Sequence, residues 1–199
     1  MSDPQHPWIA QPPAEKVRVS PVLTAKAIPR PTTPQAGVPR PDSSHRLPRH
    51  NTTQQAGTWW LGVHGGAGES VLCHLLPGSR SADHAWPIVH DGSKANVVLV
   101  ARSNADGLIA AQQAATEWAS GSLPTINLLG LVIVADTPGK LPKLLRDLAQ
   151  VVSGGVPNVW HLPWVESWRL GERVSPETSP QNVRAVISAI GDLTSDRTA

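Results

Sequence analysis

Between Val63 and Val71 the chain reads His64-Gly65-Gly66-Ala67-Gly68-Glu69-Ser70, three glycines and a hydroxyl set between two apolar runs. A glycine-rich turn from a strand into a helix lets backbone N–H groups close around an anion at the positive helix end. His64 to Val71 are therefore the candidate anion or nucleotide site. In a full phosphate loop the residue before the Ser/Thr is a lysine that reaches the outer phosphates, while the hydroxyl binds magnesium. Here that residue is Glu69. At 4 Å in a partly shielded site a unit charge is worth about 4 kcal/mol, so exchanging attraction for repulsion is wrong for an ordinary ATPase. Glu69 then has two roles open to it. It turns inward and serves the helix dipole as a built-in substitute for phosphate, or it faces solvent or a metal and leaves the glycines and Ser70 to grip a nucleotide weakly. A turn that is only structural is the bland alternative.

Other motifs fit these residues less well. A nucleophile elbow needs Gly-x-Ser-x-Gly, and Leu72 stands where its second glycine must be. A dinucleotide fingerprint needs Gly-x-Gly-x-x-Gly, and Val71 stands where its third glycine must be, which leaves it a minor alternative. His64, His74, His84, His90 and His161 lack zinc-ligand spacing, and with one cysteine no metal site is expected. Cys73, among leucines and valine, reads as a packed, inert thiol.

The elements that position this turn follow from periodicity. Thr58 to Val63 is a short buried strand, and Val71, Leu72, Leu75 and Leu76 mark a helix that Pro77 stops. Ala85–Val89 and Asn96–Ala101 read as strands, followed by a helix capped by Asp106 and closed at Gly121. Leu128 to Ala135 is the strongest strand signal; Leu141 to Val151 is amphipathic, Asn158 to Leu162 is a last strand, and Val183 to Leu193 a closing helix. Alternating strands and helices predict an α/β fold, a small doubly wound, mainly parallel sheet with helices on both faces. Trp59 and Trp60 should point to opposite faces of the first strand.

Composition divides the chain. Eleven of the 20 prolines precede Gly57, and that stretch carries seven Lys/Arg against three acidic residues. So little apolar side chain cannot offset the entropy of ordering it, so residues 1–56 are expected to be a basic, disordered arm before a domain over 57–199. The arm offers a tether, with nucleic-acid contact through its arginines as a lesser alternative. The single Cys73 and the absence of a charged-then-apolar opening segment lead to the expectation of a reducing cytoplasm. The longest apolar run is too short for a membrane helix, and no span is expected. Trp164 and Trp168, four residues apart, share a face if Val165 to Leu170 is helical. They are candidate partner anchors, with core filling as the rival.

On the loop residues, the domain resembles the ParA/MinD family of deviant phosphate-loop ATPases, whose loop reads Lys-Gly-Gly-x-Gly-Lys-Ser/Thr. Gly65, Gly66, Gly68 and Ser70 match, whereas His64 and Glu69 replace both lysines. The order of Val97 to Arg102, Gly130 to Val134 and Val159 to Pro163 is also similar. The resemblance implies a phosphate-loop NTPase-like fold, ATP or ADP with Mg2+ held weakly or not at all, and no efficient hydrolysis. It places a base contact near Asp136, for which a simple turn aspartate is the rival reading. The interval from Pro77 to Asn96 is too short for the family's second strand, switch region and acidic strand in full. The resemblance implies a protein-partner-binding or regulatory role in plasmid or conjugative-element biology, in the manner of actinobacterial proteins encoded near such genes, with a homodimer among the options. The rival is an active ATPase whose missing positive charge comes from a partner.

Overall fold

The computed structural model describes residues 30–195. Its main sheet has five strands, all parallel: β2 (Thr58–Gly62), β3 (Ser79–Ser81), β5 (Ala95–Arg102), β6 (Ile126–Val134) and β7 (Val159–Leu162). Their spatial order is β3-β2-β5-β6-β7. Counted in chain order this is 2-1-3-4-5, one of the two common doubly wound arrangements. The helices are α1 (Glu69–Cys73), α2 (Ala105–Ala119), α3 (Lys143–Ser153), α4 (Glu166–Arg169) and α5 (Gln181–Ser195).

Burial on both faces explains why the strands read as nearly unbroken apolar runs. On one face Trp59, Leu61, Val97 and Leu99 pack with Leu108 and Trp118 of α2 and with Ala149 and Val152 of α3. On the other, Trp60, Val98, Val100 and Val132 pack with Leu72 of α1 and with Val183, Ile187 and Ile190 of α5. Trp59 and Trp60 thus face opposite layers, as strand geometry requires. The register of β6 against β5 shifts between Val97 and Val98, so that Leu128 and Gly130 are paired and Leu129 is the extra residue. A Cβ at Gly130 would collide with the Asn158 carbonyl and come within 2.6 Å of the Trp160 ring. Glycine there lets β7 lie close to β6.

Several local expectations are corrected. The helix after the glycine turn ends at Cys73 and gives way to turns before Pro77, so α1 is five residues long. The cap of α2 is Asn104, whose Oδ1 accepts from Gly107 N at 2.8 Å, and not Asp106. The strand near Ala85–Val89 exists, but β4 (Trp86–Val89) pairs with β1 (Arg49–Thr52) in a separate two-stranded sheet.

That pairing also corrects the expected disordered arm over residues 30–56. Val38, Leu47 and Ala56 pack against the core, Gln35 N donates to Ala119 O at 2.9 Å, and Trp86 N donates to Pro48 O at 2.8 Å. The centre of the attachment is the buried carboxylate of Glu117 near the end of α2. Its Oε2 accepts from the Trp86 indole at 2.9 Å and from Leu47 N at 3.3 Å, and its Oε1 lies 3.9 Å from Arg49 Nη2. Composition predicts too little burial for this segment because its few apolar side chains are spaced irregularly; Val38, Leu47 and Ala56 nevertheless meet the domain. The remainder of the expected arm, residues 1–29, lies outside the described residues. Among the described residues no helix is long and apolar enough to cross a membrane.

Removing the Glu117 acceptor leaves an indole and an amide without their partner in the interior, which costs about 1–3 kcal/mol for each group. Glu117→Ala is therefore expected to lower unfolding free energy by about 3 kcal/mol in urea titration, with proteolysis near residues 47–52 accelerated more than cleavage elsewhere.

Candidate functional site

In an open parallel sheet, ligands bind beyond the carboxyl ends of the strands where the chain changes direction, because neighbouring loops there leave toward opposite faces. That point lies between β2 and β5. From β2 the chain enters α1 on one face of the sheet, and from β5 it enters α2 on the other. Between them opens a cavity of about 580 Å³ that includes His64, the three glycines of the turn, Arg102, Asn104 and Asp136 in its lining.

The turn itself is built by its glycines. Gly66 has φ 76° and Gly68, the residue before α1, has φ 108°, values that strain any residue with a Cβ. A Cβ on Gly65, Gly66 or Gly68 would meet no atom within 4 Å. Gly66 and Gly68 are thus needed for backbone path, and all three glycines leave the mouth of the turn open. Ala67 between them is fully buried and donates its N–H to His64 O at 3.3 Å, closing the turn.

Glu69 turns away from this opening. It is 5% exposed, its Oε2 accepts from Gly62 N at 2.5 Å, and its Oε1 lies 3.5 Å from His84 Nδ1. His84 Nδ1 donates to Gly62 O at 2.8 Å, so carboxylate and imidazole together satisfy the N–H and the carbonyl of the last residue of β2. Both crowd Gly62, where a Cβ would approach His84 Nδ1 to 2.9 Å and Glu69 Oε2 to 3.0 Å. The inward orientation is one of the two expected for Glu69. The partner differs: the carboxylate takes a strand amide rather than the amides of the turn, and it is not part of the cavity wall. Its negative charge is consequently withdrawn from the place where a ligand's charge would sit.

His64 brings no positive charge. Arg102 N donates to His64 Nε2 at 3.0 Å, so Nε2 carries a lone pair and the ring proton is on Nδ1, which donates to Gly65 O at 2.9 Å. The imidazole is a neutral latch between the turn and the end of β5. Close approach of α2 is part of the same contact: a Cβ on Gly107 would come within 2.5 Å of Arg102 O, 2.8 Å of His64 Nε2 and 3.0 Å of Asn104 Oδ1.

Charge comes from Arg102 and Arg169. Arg102 Nε donates to Gly66 O and Nη1 to Ala135 O, both at 3.1 Å, so the guanidinium bridges the turn to the residue after β6. Burial pushes its pKa below the ordinary arginine value; Asp136 opposes that shift and Arg169 adds to it. The group stays cationic nonetheless, as arginine does in proteins. On the far side Asp136 is positioned by Asn104 Nδ2, which donates to Oδ2 at 3.3 Å, and its N–H donates to Ser103 Oγ at 3.0 Å. Trp164 and Trp168 complete that wall, Trp164 Nε1 donating to Glu166 Oε2 at 2.5 Å.

Of the residues singled out in the sequence, the glycine turn and Asp136 come together in one cavity. Trp164 and Trp168 join that cavity, where they had been expected either on an outward partner face or in the core. Ser70 is exposed and does not line it. Arg102, Asn104 and Arg169 were missed. For Arg102 the signal was present: a cationic residue ends an otherwise apolar buried strand, at the sheet edge where α/β ligands bind. Nothing local in the sequence distinguishes Arg169 from an ordinary solvated residue.

The donor set discriminates between cofactors. A phosphate suits the open amide turn and the guanidinium beside it. Magnesium demands near-octahedral oxygen ligands, and the wall supplies few: Glu69 is engaged with Gly62, Ser70 is off the wall, and Asp136, its Oδ2 bonded to Asn104, is the one carboxylate among the lining residues. Among the described residues, no group of three His, Cys, Asp or Glu side chains converges to hold a metal.

Gly107→Ala is expected to lower the melting temperature and to detach α2 from the latch, because its Cβ meets backbone Arg102 O and cannot be relieved by a rotamer change; overpacking of this kind costs about 1–3 kcal/mol. The Cys73 thiol is pushed up to about 11, by burial first and then by the Glu69 and Asp83 charges. Since the thiolate is the nucleophile, Cys73 in the folded protein should react with Ellman's reagent at pH 8 far more slowly than after denaturation in urea.

No curated protein and no solved structure matches the chain. A family model described as a family of unknown function (DUF6668) matches residues 56–187, from just before β2 into α5 and well over half of the chain. With the whole cavity wall inside that span, the protein belongs to the DUF6668 family.

Proposed function

We propose that this protein is a degenerate, ParA/MinD-like phosphate-loop protein that binds a nucleotide at the β2–β5 crevice without hydrolysing it efficiently, and whose occupancy biases binding to a protein partner. The observation that carries this reading is the open glycine turn at the point where the chain reverses, with the Arg102 guanidinium tying Gly66 to Ala135 beside it. Amides in such a turn favour an anion, and the withdrawal of Glu69 to Gly62 removes the repulsion that the sequence alone implies. The same withdrawal argues against a working ATPase, since neither Glu69 nor neutral His64 replaces the lysines that act on the outer phosphates. An adaptor also needs a surface. Leu144 and Val151, seven residues apart on one face of α3, are 82% and 63% exposed and offer apolar contact area to a partner.

Isothermal titration with ADP and ATP, each with and without magnesium, tests the proposal. Binding at a single site with a dissociation constant between about 10 µM and 1 mM is expected, without phosphate release above the uncatalysed background. No heat at millimolar nucleotide under any of the four conditions would overturn the reading. Gly66→Val, strained at φ 76°, should abolish binding while leaving far-ultraviolet circular dichroism unchanged.

A further inference from the structure

We propose that the crevice takes its ligand free of magnesium, with Arg102 and Arg169 supplying the positive charge that lysine and metal supply in a full phosphate loop, and that the ligand class is a nucleoside diphosphate. The inference rests on the phosphate-binding reading of the same cavity and adds the source of the charge and the form of the ligand.

Two guanidinium groups line the cavity and only one carboxylate, Asp136, does so among the described residues. The imidazole of His64 is neutral by its hydrogen bonds, and Glu69 is buried on the strand side. The wall therefore carries an excess of positive charge in a partly enclosed space, and Arg102 and Arg169 repel one another across it. An anion between them relieves that repulsion and gains charge-assisted hydrogen bonds. Arg102 is already committed through Nε and Nη1 to two carbonyls, which fixes its plane toward the turn. Arg169, on the short helix α4 next to Trp168, is exposed and free to adjust to the ligand.

A metal ion has the opposite problem. A magnesium-bound polyphosphate brings a dication toward two guanidiniums and finds a single wall carboxylate, Asp136, one oxygen of which is already bonded to Asn104. Binding should thus favour the metal-free form of a short polyphosphate. The charge of a diphosphate is matched by the turn amides and the two arginines, whereas a metal-free triphosphate adds a further negative charge without a further cation on the wall. Trp164 and Trp168 give the far side apolar, aromatic surface for the base.

The test uses the full chain, titrated with ADP and with ATP in EDTA and again in excess magnesium, with Arg169→Gln, Arg169→Lys and the parent protein; in EDTA, ATP binding tighter than ADP overturns the diphosphate assignment. Expected are binding in EDTA at least as tight as in magnesium, an affinity about tenfold lower for Arg169→Gln, and recovery of most of it in Arg169→Lys. Circular dichroism of the variants checks that the fold is kept; Arg169 is exposed, so it should be. Binding that requires magnesium, or an Arg169→Gln affinity equal to the parent's, overturns this inference and leaves the phosphate-binding reading standing. Absence of ADP and ATP binding in both EDTA and magnesium overturns both.

Discussion

At the end of β5 a single residue is held by three different partners. The amide of Arg102 donates to His64, and its side chain donates to Gly66 and to Ala135. These three bonds join the ends of β2, β5 and β6, the strands whose loops surround the cavity. Without them the glycine turn would have little to define it: α1 is five residues long, too short to be stable by itself. The short helix is instead stapled at both ends, by Leu72 in the core on one side and by the neutral latch of His64 on the other. Local order at the candidate site is thus a tertiary property.

Glu69 shows how a substitution that looks disruptive to a motif is accommodated by its surroundings. A carboxylate without partners in an interior is unstable by several kcal/mol. Here it receives the final amide of β2 and sits beside His84, and Gly62 provides the space for both. Asp83 and His84 reach this position through left-handed backbone, at φ 51° and 57°. Non-glycine residues in that region are uncommon and carry strain, so two in succession indicate that the surrounding contacts outweigh a local conformational cost.

Much of the architecture was legible in the sequence because burial on both faces writes itself as uninterrupted apolar strands. β2, β5 and β6 were recognisable from Thr58 to Val63, Asn96 to Ala101 and Leu128 to Ala135 for that reason. β3 was not, since Ser79-Arg80-Ser81 lies at the sheet edge, half exposed, and has no apolar pattern to show. β1 escaped for a related reason: Arg49-His50-Asn51-Thr52 joins the fold through its backbone and through Glu117, and pairing of main-chain groups leaves no trace in composition. The glycine turn was visible as spacing. Its charge environment was not, because Arg102, Asp136 and Arg169 meet only when three loops converge, and the sign of Glu69 gave the wrong impression of the field in the cavity.

Helix α2 has a consequence for how distant parts of this protein communicate. Its fifteen residues make a rod about 22 Å long. At one end Glu117 grips the segment around Leu47 and Arg49; at the other, Asn104 and Gly107 abut the latch of His64. A tug on the preceding chain, or a partner seated on it, is therefore applied to the far end of a stiff lever whose near end rests against the glycine corner. Mechanical load on that segment and the set of the glycine corner share one axis.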